Sequence, residues 1–72
     1  MKKEAVDHPT HYNKGKIEVI EAIEDWNLNF SEGNVIKYVA RHRFKGEPLE
    51  DLKKAQWYLN RLIENLEKDL NN

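Results

Sequence analysis

Pro48-Leu49-Glu50-Asp51-Leu52-Lys53-Lys54-Ala55-Gln56-Trp57-Tyr58-Leu59-Asn60-Arg61-Leu62-Ile63-Glu64-Asn65-Leu66-Glu67-Lys68-Asp69-Leu70 is the stretch that decides the fold. Leu52, Ala55, Leu59, Leu62 and Leu66 recur at alternating spacings of three and four, and Leu49, Ile63 and Leu70 widen the seam. A strand would alternate its faces every second residue, so this period belongs to one long helix. Pro48 suits a first helical turn, Glu50 and Asp51 sit at the positive helix end, and Glu50 precedes Lys54 by four residues. Two short neighbours cannot cover so long a seam, and self-association is the expected remedy.

Upstream, Gly33-Asn34-Val35-Ile36-Lys37-Tyr38-Val39-Ala40-Arg41 reads as a helix with two faces. Val35, Ile36, Val39 and Ala40 make an apolar stripe that packs the protein. Asn34, Lys37, Tyr38 and Arg41 fall at i, i+3, i+4 and i+7 on another side. An amide, an ammonium, a phenol and a guanidinium side by side suit an anion attached to something flat. Ser31 is read as the N-cap, with the helix running to Arg43 or Phe44 and Gly33 and Asn34 offering free N–H groups at its start. The alternative is a solvated basic face pairing with an acidic neighbour.

A further helix is expected over residues 17–26, where Ile17, Val19, Ile20, Ile23 and Trp26 form an apolar face opposite Glu18, Glu21 and Asp25. Gly46 should end the middle helix within the turn Lys45-Gly46-Glu47-Pro48. Residues 1–16 are polar and turn-rich and read as an extended N-terminal arm, leaving residues 17–72 as one helical domain. The fold class is therefore all-α: a small three-helix domain with an N-terminal arm and a long C-terminal helix, oligomeric in its working state.

At 72 residues, folding buries only roughly 60% of the surface of the unfolded chain. A core of this size rarely supplies more than about 3–5 kcal/mol. The absence of cysteine removes disulfides and thiolate zinc sites. Twelve basic and thirteen acidic residues leave a net charge of -1, which argues against a general duplex-DNA binder. Lys2 and Lys3 are followed by no apolar run, so a cytoplasmic protein without a membrane segment is expected.

Other constellations are weaker. Lys53, Trp57 and Arg61 lie at i, i+4 and i+8, so a base could stack on Trp57 while Lys53 meets phosphate; the alternative buries Trp57 in a core or interface. His8, His11 and Tyr12 are close enough to converge on one ligand or to serve as a structural turn. Zinc would need His42 to complete a three-histidine set, and no metal site is assigned. Glu18 with Glu21, and Glu47 with Glu50 and Asp51, could hold magnesium, though acids at helix starts are common. Gly33 to Lys37 lacks the second glycine and the Ser or Thr of a P-loop.

Three ordered blocks carry a resemblance. They are Asp7-His8-Pro9-Thr10-His11-Tyr12 with Gly15 and Ile17-Glu18; Gly33-Asn34-Val35-Ile36-Lys37-Tyr38 with Arg41 and Lys45; and Glu50-Asp51-Leu52-Lys53-Lys54-Ala55 with Trp57-Tyr58-Leu59. Together, from Val6 to Ile63, they resemble the small bacteriophage family called SaV-like. The resemblance implies a phage accessory protein, related to a longer nucleotide kinase that acts on deoxynucleoside monophosphates without a P-loop. Carried over, the shared positions are His8, His11, Tyr12, Asn34, Lys37, Tyr38, Arg41, Asp51, Lys53 and Trp57.

The leading expectation is thus a nucleotide or other phosphate-bearing ligand. Asn34, Lys37, Arg41 and Lys53 would meet the phosphate, and His8, His11, Tyr12, Tyr38 and Trp57 the base or sugar. A kinase would add Mg2+, and no other cofactor is assigned. The alternatives are sequestration of a cyclic nucleotide defence signal and a helical module that docks on another protein.

Overall fold

The computed structural model describes residues 15–44 and 46–71, and these hold three helices and no strand. They are α1, Val19–Asp25; α2, Phe30–Arg41; and α3, Pro48–Asn71. The arm expected over residues 1–16 lies almost wholly outside the described residues; Gly15 and Lys16 form a bend. No described helix is long and apolar enough to cross a membrane.

Each helix end has a local chemical cause. Glu18 is the extended N-cap of α1, and its N–H donates to Glu21 Oε1 at 3.0 Å, so Ile17 stays outside the helix. At the other end Asn27 adopts a φ of 55°, which asparagine tolerates better than most residues. The Asn27 and Leu28 N–H groups then donate back to the Glu24 and Ile23 carbonyls, closing a Schellman turn after Trp26. The helix expected over 17–26 is trimmed at both ends for these reasons.

Asn29, not Ser31, caps α2. Its Oδ1 accepts the Glu32 N–H at 2.8 Å while Glu32 Oε1 accepts the Asn29 N–H at 2.9 Å. Ser31 has Asn34 three residues on and cannot form this reciprocal pair with a carboxylate. The shift moves Gly33 into the helix body, where its N–H donates to the Asn29 carbonyl at 2.8 Å. The free N–H expected there is therefore spent.

α2 stops at Arg41, earlier than Arg43 or Phe44, because the chain tightens into a turn in which the Phe44 N–H donates to the Arg41 carbonyl. Gly46 does not supply a left-handed cap, since no described glycine has a positive φ. Pro48 opens α3 as expected, with the Asp51 N–H donating to the Glu47 carbonyl.

α2 and α3 form a hairpin, and α1 packs against α2 alone among the described elements. Gly33 is buried where α1 crosses: a Cβ there would stand 3.2 Å from Ile23 Cγ2. Among the described residues Ala55 is the one buried apolar side chain, and Asp51 is the most deeply buried of all. The hairpin is therefore closed largely by polar and aromatic contacts.

Candidate functional site

The site is built at the α2–α3 contact, around Tyr38. Arg41, in the last turn of α2, reaches across to Asp51 in the first turn of α3. Its Nε donates to Asp51 Oδ2 and its Nη2 to Asp51 Oδ1, both at 3.2 Å. The carboxylate is almost fully enclosed, while 17% of the guanidinium side chain remains exposed. This two-point grip fixes the plane of the guanidinium.

Three cations surround the Tyr38 ring. Lys37 Nζ lies 4.5 Å from its centroid, Arg41 Cζ 4.8 Å and Lys54 Nζ 5.5 Å. Tyr58 stacks nearby at 6.2 Å and 16°, and its own ring meets the edges of Phe30 and Trp57 at 5.8 and 5.1 Å. With Arg41 balanced by Asp51, two positive charges remain among the described residues. Their repulsion is eased by the negative face of the ring and would be eased further by an anion.

Lys37 also borders a depression of about 200 Å³ between α1 and α2, lined by Ile23, Leu28, Phe30, Gly33 and Asn34. That volume lies below the roughly 300–1,000 Å³ of ordinary small-molecule sites and the lining is mostly apolar, so this hollow alone does not hold a whole nucleotide. Two other depressions are more acidic than basic, one bordered by Glu21, Glu24 and Asp25 and one by Glu64, Glu67 and Lys68. Neither suits an anion.

The structure thus brings Lys37, Tyr38 and Arg41 together but does not add Lys53 to them within one protomer. Lys54 takes that place, because one residue turns a helix by about 100°. The signal was present as Asp51, Lys54 and Tyr58 at i, i+3 and i+7. Asn34 borders the depression, and its Nδ2 donates to the Phe30 carbonyl at 2.9 Å. Trp57 is mostly exposed and packs edge-on to Tyr58, so it is not a core residue of the single chain.

His42 caps α2, with Nδ1 2.6 Å from the Val39 carbonyl oxygen, an acceptor that requires the hydrogen on Nδ1. His8, His11 and Tyr12 lie outside the described residues. Glu21 serves the α1 cap, and Asp51 serves Arg41. Among the described residues no group of three or more His, Cys, Asp or Glu could hold a metal ion.

A family model covers residues 6–60, well over half of the chain. The chain belongs to DUF3310, a family of proteins of unknown function. The DUF3310 match takes in α1, α2 and α3 as far as Asn60, and with them Lys37, Tyr38, Arg41, Asp51, Lys54 and Tyr58. The last turns of α3 fall beyond it. No curated protein and no solved structure is significantly similar to the chain.

Proposed function

We propose that this chain binds a nucleotide or a nucleotide-derived phosphate, with Lys37 and Lys54 on the phosphate and Tyr38 beside it. The observation that carries the reading is the gathering of Lys37, Arg41 and Lys54 at one aromatic ring. Arg41 is oriented in advance by Asp51, which lowers the entropy lost when a ligand is held. Asn34 and the adjoining hollow offer a seat for the sugar edge. His8, His11, Tyr12 and Trp57 are assigned to the base or sugar on the strength of the SaV-like resemblance. Lys53 is left a peripheral role.

The same resemblance supports a phage accessory protein with kinase-like chemistry on a nucleoside monophosphate. Magnesium would then accompany the transferring phosphoryl group, and the cations would steady its charge. Equilibrium dialysis against deoxynucleoside monophosphates and cyclic nucleotides tests the reading. Lys37→Ala should weaken binding about tenfold, the loss of one charge-assisted contact. Equal retention of every nucleotide by Lys37→Ala and the native chain would refute it. Product analysis then separates chemistry from capture: a new phosphorylated species marks a kinase, and an unaltered cyclic nucleotide released from the protein marks sequestration.

A further inference from the structure

α3 carries two faces that sequence reading merges into one seam. Asp51, Ala55, Tyr58 and Leu62 share the side on which α2 lies. A second row, Leu49, Leu52, Gln56, Leu59, Ile63, Leu66 and Leu70, recurs at strict alternations of three and four, about a quarter turn away. Its apolar members are left open: Leu49 is 65% exposed, Leu59 46%, Ile63 47%, Leu66 59% and Leu70 77%. Such a row is the seam of a coiled coil, with Leu52, Leu59 and Leu66 at one core position and Leu49, Gln56, Ile63 and Leu70 at the other.

The far end of α3 also outruns its neighbour. Arg41 stands level with Asp51, and equal rise then sets Phe30 level with about Leu62. Ile63, Leu66 and Leu70 therefore extend past α2, and α1 does not reach α3. A radius of gyration of 14.2 Å exceeds the about 11 Å of a compact chain of this length.

We propose that this row docks on a second copy of the chain, the two α3 helices running antiparallel. The flanking charges select both partner and direction. One flank of the seam is occupied by α2, and the other carries Lys53, Asn60 and Glu67, seven residues apart. In an antiparallel pair centred on Asn60, Lys53 faces the partner's Glu67, Glu67 faces the partner's Lys53, and Asn60 faces the partner's Asn60. The same register sets Leu52 against the partner's Leu70, Gln56 against the partner's Leu66 and Leu59 against the partner's Ile63. A parallel pair would put Gln56 against its own copy and leave Lys53 and Glu67 without opposite charges. The antiparallel arrangement builds a four-helix assembly in which both α2 helices lie on one side of the α3 pair, opposite the charged flanks. It is independent of the proposed ligand.

Sedimentation equilibrium and thiol cross-linking test it, using the native absence of cysteine. The native chain should give a mass that is an even multiple of 8.6 kDa, falling to 8.6 kDa in Leu59→Lys with helical circular dichroism retained. Should Leu59→Lys fail to fold, the surface exchange decides: Lys53→Glu should loosen the assembly at least tenfold, and the double variant Lys53→Glu, Glu67→Lys should restore it. A mixture of Gln56→Cys and Leu66→Cys chains should cross-link, and Gln56→Cys alone should not. A native mass of 8.6 kDa, an odd multiple of it, no rescue by the double exchange, or self-linking of Gln56→Cys at the yield of the mixture would each overturn the proposal.

Discussion

The two ends of α3 are made of the same helix and behave as opposites. Near its start, a nearly enclosed carboxylate holds a guanidinium from α2, three cations crowd one phenol ring, and little apolar surface is buried. Toward its end, leucine and isoleucine recur every three or four residues and stand in solvent. The first region has its geometry set by directional bonds inside the chain. The second has the driving force for burial and nothing in the described chain to bury against. A small protein can thus place a cluster of directional polar contacts and its unspent hydrophobic surface on separate parts of one element.

The largest effect that would break this contrast lies at the closing pair. Arg41→Ala should destabilise the chain by about 3 kcal/mol, the low end for a broken buried pair because the guanidinium side chain reaches water. That is comparable to the whole of a core this small. Asp51→Ala should cost less, since the side chain it leaves behind, Arg41, is partly exposed whereas Asp51 is enclosed. Urea unfolding followed by circular dichroism reads both, and equal costs would show that burial does not govern the pair.

A smaller effect sharpens the role of local bonding. Asn29→Ala removes the acceptor for the Glu32 N–H and should cost about 1 kcal/mol, whereas Ser31→Ala should stay within about 0.5 kcal/mol. The same unfolding curves compare them, and the reverse order would restore Ser31 as the cap. The smallest effect is expected at Gly33→Ala. Helix propensity gains about 1 kcal/mol, and the 3.2 Å approach to Ile23 costs a similar amount as that side chain shifts. Thermal unfolding should show little change, while a clear stabilisation would mean that α1 yields freely.

Much of the architecture was legible because it depends on local periodicity. The three- and four-residue spacing from Leu49 to Leu70 yields one helix whatever it packs against, and Pro48 opens it for reasons internal to its ring. Helix ends were less legible where two caps competed. Asn29 prevailed over Ser31 through a carboxylate three residues downstream, a pattern visible in the sequence but easily passed over. Trp57 illustrates a different limit: that its ring stays mostly exposed depends on which side of α3 faces α2, which no spacing within α3 reveals.

The candidate site was legible in part for the same reason. Lys37, Tyr38 and Arg41 share a helix, so their proximity follows from 3.6 residues per turn. Choosing between Lys53 and Lys54 required knowing the rotation of α3 about its axis, and the bond between Arg41 and Asp51 sets that rotation.

By itself, the sequence determined three helices, their order and the polar stripe of the middle one, since each follows from bonds and spacings a few residues long. Only the tertiary structure decided that Asp51 belongs to Arg41, that Lys54 joins Lys37 at Tyr38, and that the leucine seam is two faces rather than one. These depend on how one helix is rotated against another. That rotation is the sum of contacts between residues distant in the chain, which local pattern does not encode.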